Sequence, residues 1–474
     1  MKVFKNMFKL NFEELKIEWL LVSLMSFVSF ISFRYFDLNT LTVWSLNLLD
    51  VIFEFRLRDF YLHSSLNLHG VANPTVGGDI FVLVPWAIWN MPVWIGQRFF
   101  ELDVLNSILS MLWSKGFLVF CLGLTSKYTY KIGFLLTKDK QKSNWMALLS
   151  FSFIFAYIGV HYAGQNDIVT IAFSTMAIYY LFKGNIMFFV LFSAFAIASK
   201  PFFLFPYIAI ILLKEKRVLG ILEKIALGLS VTLFFRLIFF NAPMFAESLA
   251  AGPTDAMLEY LLGPGVPSPF GNISFFALGL LFFYYISYVK KPKNENEFRI
   301  FTIYVITSVY TVMLIFGQHV FYRYLFFIPF IFILIISNAR TAKFSLILFA
   351  IISGLILISI ISGFSIWNGN YVTLATQFMY RDVIDLIFGE ELWYEARRYH
   401  SLAFFSDMIP SWIWPALSAI ISFGSTLLLV INHPNFKGEV PFDGSPCSRW
   451  VYWLNAFLFL PFLLGIFYAL FSLV

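Results

Sequence analysis

The sequence predicts an all-α membrane protein whose chain crosses the bilayer many times. Its 474 residues are 60% hydrophobic and only 13% charged, whereas ordinary soluble domains carry roughly 25% charged residues. Apolar runs of about 18 or more residues recur along the chain, and each is long enough to cross a bilayer core as a helix. The runs are continuous, so they favour helices over the alternating strands of a membrane barrel.

Composition and motifs exclude several other classes. The net charge of +6 is spread between apolar runs, unlike the clustered charge of a nucleic-acid-binding protein. Cys121 and Cys447 are too few and too far apart in sequence for a disulfide framework. The chain has no Walker-type phosphate loop, dinucleotide-binding fingerprint, HExxH motif or paired CxxC motif. An ATP-driven mechanism therefore has no support in the sequence.

The apolar runs predict about thirteen transmembrane helices. Their approximate bounds are 19–36, 104–124, 145–161, 168–182, 186–199, 202–213, 219–240, 272–289, 299–316, 324–337, 343–364, 410–431 and 451–473. Most of the 33 Lys and Arg residues then fall in alternate loops, which the positive-inside rule assigns to the cytoplasm. We expect a cytoplasmic N-terminus, and no small-residue cleavage site follows the first run.

The segment 79–100 is apolar enough to span the membrane, but spanning would put the lysine-rich loop 126–143 outside. Its three Trp and two Pro residues suit an interfacial, broken helix instead. We therefore predict a large first outer loop, 37–103, with interfacial helices. The other long outer segments are 241–271 and 365–409.

Charged and polar residues at helix ends or membrane depth are the candidates for function, because burying them is unfavourable. In the first outer loop, Asp59 lies beside Arg56 and Arg58. This group is either a carboxylate with two cations at the membrane surface or a set of solvated charges on an interfacial helix. The sequence alone leaves both interpretations open.

Three further places face the same predicted side. Gln165 and Asp167 follow a glycine between two helices, although Asp167 could simply cap the next helix. Lys200 stands between two apolar runs and needs an anionic partner unless it reaches the interface. The last group consists of His319, Tyr322 and Arg323. The planar guanidinium of this arginine is suited to binding phosphate. The two tyrosines flanking that arginine could also be ordinary interface aromatics.

Together these residues predict chemistry on a sugar attached to a lipid phosphate. A carboxylate, Asp59 or Asp167, would accept the proton of an acceptor hydroxyl. Arg56, Arg58, Gln165, Lys200, His319, Tyr322 and Arg323 would bind the substrates. The cations among them would stabilise charge on the departing phosphate.

The stretch from Gly164-Gln165-Asn166-Asp167 through Ser199-Lys200-Pro201 to Lys214-Glu215-Lys216-Arg217 resembles the integral-membrane GT-C glycosyltransferases. It is most similar to the branch that resembles GPI-anchor mannosyltransferases and their bacterial relatives. Arg323-Tyr324 is similar to a later His-Glu-Arg-Tyr element of that branch, although Phe321-Tyr322 replaces His-Glu here.

The resemblance implies transfer of one sugar from a polyprenyl-phosphate-linked donor to a glycan or lipid-linked acceptor at the outer face, usually with inversion. It also implies a catalytic Asp in the first outer loop. Asp59 fits best by position, and its rivals are Asp37, Asp50 and Asp79. Some relatives use a divalent metal, Mg or Mn, and others none; no tight carboxylate cluster in this sequence indicates a metal site.

The predicted organisation has a catalytic transmembrane module over residues 1–340 and C-terminal transmembrane helices with an outer loop over 341–474. The composition suits the cytoplasmic membrane of a bacterium. Two alternatives stay open. A polysaccharide polymerase or O-antigen ligase would use a large late outer loop such as 365–409. A flippase or transporter would carry two similar halves and polar groups near the midplane, and the sequence shows no such repeat.

Overall fold

The computed structural model of the protein describes residues 15–32, 36–66, 76, 80–105, 107–250, 261–269, 271–316, 321–338, 340–361, 410, 412–434 and 447–458. Most of these residues are helical. The outer loop 365–409, His319 and Asp79 lie outside the described residues, and so does the side chain of Tyr322.

The helices, in chain order, are α1 (Lys16–Ser32), α2 (Phe36–Phe53), α3 (Phe60–Ser65), α4 (Leu83–Phe100), α5 (Ile108–Thr137), α6 (Lys140–Ser152), α7 (Asp167–Phe182), α8 (Ile186–Ser199), α9 (Leu204–Lys214), α10 (Val218–Phe239), α11 (Phe245–Ala250), α12 (Phe275–Val289), α13 (Glu295–Phe316), α14 (Ile328–Ser337), α15 (Ala342–Ile361), α16 (Ile413–Ile431) and α17 (447–458). Short 3-10 helices cover Leu57–Asp59, Ile80–Val82, Pro201–Phe203 and Phe321–Phe326. After α6 the chain continues through Ile154–Ala156 into a π-helical turn, Tyr157–Tyr162.

Most helices lie within a few residues of the predicted ones, but α5 continues to Thr137 instead of ending near residue 124. Within the described residues four helices are long and apolar enough to cross a membrane: Ile80–Phe100, Ile108–Thr137, Val218–Phe239 and Glu295–Phe316. A fifth span results if Lys140–Ser152 and Ile154–His161, bent by 45°, count as one. The fold is compatible with an integral membrane protein, and the number of thirteen spans stays a prediction.

A short β-hairpin departs from the predicted all-helical fold. Strands β1 (Gly265–Ser268) and β2 (Gly271–Ser274) pair antiparallel, with Gly265 opposite Ser274. Pro264 and Pro267 disfavour a helix here because proline lacks a backbone N–H donor. Ser274 then caps α12 by accepting the Ala277 N–H at 3.3 Å.

Basic residues gather where several helices end together, and we call this the basic end. The Lys216 ammonium donates to the Ser287 and Tyr288 carbonyls at 2.9 and 2.6 Å, joining the ends of α9 and α12. Arg299 of α13 donates to the Phe182 carbonyl at 2.8 Å, at the end of α7. Cations placed at helix C-termini satisfy free carbonyls and interact favourably with the helix dipole.

The opposite ends of these helices form what we call the site end, which contains the turns 163–166, 200–203 and 240–244. The first turn of helix α2 and the residues just beyond its last turn both contact the site end. Asp37, in its first turn, contacts Gln165. Arg58, just beyond its last turn, donates to the Phe240 carbonyl at 3.0 Å. Helix α2 therefore lies across the site end, and its place at the membrane surface stays a prediction.

Helix α4 runs parallel to α2 along its side. Asn90 donates to Ser45 at 2.9 Å, and further along both helices Trp94 donates to Asp50 at 2.8 Å. The prediction that 79–100 lies at the membrane surface stays a prediction, because the length and composition of α4 would also allow it to cross a membrane.

Candidate functional site

The centre of the site is a buried ion pair between Lys200 and Asp167. Asp167 is the first residue of α7 and its side chain is 0% exposed, while the Lys200 side chain is 25% exposed. Pro201 ends α8 and holds Lys200 in an extended conformation, as expected for the residue before a proline. This turn directs the ammonium group back to Asp167 Oδ1. Lys200 thus has the anionic partner that the sequence required.

A second carboxylate, Asp37, lies next to this pair. Gln165 Nε2 donates to Asp37 Oδ2 and also to the Ala163 carbonyl at 3.3 Å. The turn before Gln165 depends on Gly164, whose φ of +60° is unfavourable for other residues. A Cβ atom on Gly164 would stand 3.2 Å from the Leu38 Cβ. The glycine therefore allows this turn to approach the start of α2 closely.

Burial controls the protonation of Asp37. It raises the pKa of this carboxyl to about 6, and the hydrogen bond from Gln165 and the positive charge of Lys200 oppose the increase. The negative charge of Asp167 adds to the increase. Asp37 is therefore a carboxylate that exchanges its proton close to neutral pH, which is the range in which a general base works best.

Several buried polar atoms around these carboxylates have no hydrogen-bond partner in the described part of the protein. They include Asp167 Oδ2, both ring nitrogens of His161 and Arg323 Nε. His161 is 0% exposed and belongs to the π-helical turn that precedes Gln165. Buried polar groups are normally paired, and those that are not frequently mark a functional site. Turns of π-helix also occur often at such sites.

Arg323 lies close to Lys200 in the fold, although 123 residues separate them in sequence. Its guanidinium is 5.3 Å from the ring centroid of Phe202, which is two residues after Lys200. In a 3-10 turn side chains three residues apart share a face, and Phe326, three residues after Arg323, also contacts Phe202. The structure thus brings Gln165, Asp167 and Lys200 together around Asp37, and it places the turn of Arg323 against Phe202, two residues after Lys200.

Asp59, Arg56 and Arg58 lie elsewhere, beyond the last turn of α2. The Val51 carbonyl accepts a hydrogen bond from the Arg56 N–H. At a rise of about 1.5 Å per residue, about 20 Å of helix α2 separates Val51 from Asp37. Asp59 forms an exposed ion pair with Arg56 at 3.6 Å. The structure does not bring these three predicted residues together with Asp167 and Lys200.

Asp50 also belongs to this far end of α2, where it accepts from Trp94 and lies 3.7 Å from His63. Among the rivals to Asp59, only Asp37 joins the Asp167–Lys200 pair within the described residues. His319 and Asp79 lie outside those residues, as does the side chain of Tyr322.

Sequence reasoning gave Asp37 too little weight. The signal was its position at the end of the first apolar run, since residues there lie at the same level as the other helix ends. His161 and Lys115, both 0% exposed, also belong to this region, and neither was among the predicted site residues. Within the described residues, no three His, Cys, Asp or Glu side chains are grouped so that they could hold a metal ion.

Comparison of the chain with family models, curated proteins and solved structures finds no match. The chemistry must therefore be argued from the site itself. The site combines the half-buried Asp37 carboxyl, whose pKa is about 6, with a carboxylate neutralised by Lys200 and an arginine whose Nε has no partner among the described residues. This set can accept a proton and bind an anion in one place.

Proposed function

We propose that this protein is a membrane glycosyltransferase that transfers one sugar from a polyprenyl-phosphate-linked donor to an acceptor hydroxyl at the site end. The observation that carries the proposal is the half-buried Asp37 carboxyl beside the Lys200–Asp167 pair. The resemblance of 164–217 to GT-C glycosyltransferases supports the same reaction class.

In this mechanism Asp37 is the general base. The acceptor hydroxyl oxygen bonds to the anomeric carbon while the bond from that carbon to the phosphate oxygen breaks. The hydroxyl proton moves to Asp37, and the bonding electrons leave with the lipid phosphate. Inversion follows if Asp37 and the phosphate lie on opposite faces of the sugar. A positioned base contributes about 100- to 10,000-fold to such a reaction.

The departing phosphate needs positive charge, and Arg323 with Lys200 provides it in this proposal. Within the described residues Arg323 Nε has no hydrogen-bond partner, and a guanidinium binds phosphate oxygens in a planar, bidentate geometry. The Lys200 ammonium already neutralises Asp167, so its further effect on the phosphate is the smaller one. Gln165 keeps the Asp37 carboxylate oriented.

The acceptor glycan and the sugar are not part of the proposal, and neither is a metal ion. The bacterial cytoplasmic membrane, with the site end outside, is the proposed location because the basic end then faces the cytoplasm. The loop 365–409, a candidate for acceptor binding, lies outside the described residues.

The test is transfer from radiolabelled undecaprenyl phosphohexoses by purified protein in liposomes, with membrane glycolipids as acceptors. Wild type, Asp37→Asn and Asp59→Asn are compared under identical conditions. We expect transfer by wild type and Asp59→Asn, and a loss of at least about 100-fold in Asp37→Asn. Equal rates in wild type and Asp37→Asn would remove Asp37 as the base. Absence of transfer from every donor in wild type would remove the proposed reaction.

A further inference from the structure

Lys115 is a fully buried lysine in the second turn of α5, at the site end. Its ammonium donates to the carbonyls of Ser29 and Phe30 at 3.0 and 2.8 Å. These carbonyls belong to the end of α1, where backbone acceptors lack helical partners and the helix dipole favours a cation. Lys115 thus fixes the chain seven residues before Asp37.

Ser114, the preceding residue, fixes the chain on the other side of Asp37. Its hydroxyl is 2.6 Å from the Thr42 hydroxyl of α2. It also accepts from Trp86 at 2.9 Å and from Asn90 at 3.1 Å, both on α4. Ser114 and Thr42 are 0% exposed, so water does not compete for these hydrogen bonds.

We propose that Ser114 and Lys115 form a positioning element that holds Asp37 against Gln165. The inference rests on the proposed role of Asp37 as the base. Together they fix the backbone before and after the Asp37 carboxylate. Lys115 is also close enough to His161 for its charge to act there, and His161 precedes Gln165 by four residues.

A purely structural role explains this lysine poorly. A methionine would fill a similar volume without burying a charge, and replacing buried charges by apolar groups is often neutral or stabilising. What methionine cannot do is donate to the Ser29 and Phe30 carbonyls. The two hydrogen bonds of the ammonium hold the end of α1 and the residues that follow in place, and this positioning accounts for a lysine at this site.

Loss of the ammonium has a specific consequence for the reaction. If the chain near Asp37 shifts, its carboxylate loses the hydrogen bond from Gln165. That bond opposes the effect of burial on the Asp37 pKa, so its loss raises the pKa further. The acidic limb of the pH–rate profile should then move to higher pH in Lys115→Met, as it should in Gln165→Leu.

The first test is a double-mutant cycle of Lys115→Met and Gln165→Leu in the transfer assay. A displacement of about 1 Å can lower a rate on the order of 100-fold, so we expect a drop of that size in kcat with a smaller change in KM for the donor. Because both changes break one contact, the double variant should be no slower than the slower single variant. Effects that multiply, or an unmoved acidic limb, would overturn the proposal.

The second test does not depend on catalysis. Asp37→Cys and Gln165→Cys, in a background with Cys121→Ser and Cys447→Ser, are joined by a short bifunctional methanethiosulfonate reagent. We expect Lys115→Met to lower the cross-linking yield severalfold, and the control Lys127→Met, at the basic end of α5, to leave it unchanged. An unchanged yield in Lys115→Met overturns the positioning role. A lowered cross-linking yield, together with no transfer by the wild-type protein in the separate transfer assay, keeps that role and rejects the glycosyltransferase.

If Lys115→Met does not fold, Ser114→Ala replaces it in both tests. This change removes a single hydroxyl without leaving a buried charge, and it should shift the same measurements in the same direction by a smaller amount. Folding is checked by gel filtration in detergent. A folded Ser114→Ala protein with wild-type cross-linking and wild-type pH profile would reject the element.

Discussion

The two ends of helix α2 carry charged residues in opposite settings. At the first turn, Asp37 is half-buried beside Gln165 and the Lys200–Asp167 pair, in which Asp167 is fully buried. Beyond the last turn, the charged side chains are 36–60% exposed in the ion pairs of Glu54 with Arg56 and with Arg98. Exposed pairs neutralise one another in water and are screened by salt, whereas buried groups keep their full effect on a substrate. Burial, and not the number of charges, separates the candidate site from the surface.

The largest effect should come from breaking the buried pair. Lys200→Met leaves Asp167 without a counter-charge at 0% exposure, and removing one partner of a buried pair destabilises a protein by about 3–5 kcal/mol. The thermal unfolding midpoint of the purified protein should fall clearly. Adding Asp167→Asn should restore most of the loss, because the uncompensated charge is then gone.

The matched control is Arg56→Met at the other end of α2. Its pair with Glu54 is exposed, so we expect no measurable change in the unfolding midpoint. Equal destabilisation by Lys200→Met and Arg56→Met would contradict the contrast between the two ends.

The sequence alone was enough to predict most helix positions and to name part of the candidate site. Continuous apolar runs predicted most helix positions, and Gln165, Asp167, Lys200 and Arg323 could be grouped because alternation of the helices put them on one side. Asp59 was preferred to Asp37 because it best fitted, by position, the Asp that the family resemblance implies in the first outer loop. Only the packing of α2 across the site end shows that Asp37 joins Gln165 and the Lys200–Asp167 pair and that Asp59 does not. The hairpin 265–274 was missed because two short strands give little periodic signal.

A second prediction concerns the stability of Asp37→Asn. The folded pKa of about 6 lies above the ordinary value of 3.8, so folding favours the protonated form. Stability from this group is therefore complete below the ordinary value and is lost as the pH rises through 6. At pH 8 the ionised carboxylate opposes folding by up to about 3 kcal/mol, and Asp37→Asn should be more stable than wild type by up to that amount.

The measurement is the difference in unfolding midpoint between Asp37→Asn and wild type, at pH 8 and at pH 4. The difference should be positive at pH 8 and nearly absent at pH 4, since the wild-type carboxyl is then protonated in the folded protein. A variant that loses activity while gaining stability is typical of a residue kept for function. A difference that does not depend on pH would show that Asp37 does not titrate as described.

A smaller effect is expected at Gly164, where stability and activity can be separated. Alanine in a left-handed conformation is destabilising by about 1–2 kcal/mol. Gly184, at the basic end, has a φ of +76° and open space within 4 Å of the position that a Cβ atom would take, while a Cβ on Gly164 would press on Leu38. Both Gly164→Ala and Gly184→Ala should lower the unfolding midpoint modestly. Only Gly164→Ala should also reduce transfer, because it moves Gln165 away from Asp37.

The smallest effect should come from Asp59→Asn. Its carboxylate is 39% exposed and lies 3.6 Å from Arg56, so the variant loses only a solvated contact. Transfer rate, its pH dependence and the unfolding midpoint should all equal those of wild type within error. If this variant instead lost activity, the far end of α2 would have to take part in binding the acceptor or the donor. Because Arg58 is tied to the Phe240 carbonyl, the next variant to examine would then be Arg58→Met, which would report whether that end must be fixed for transfer to occur.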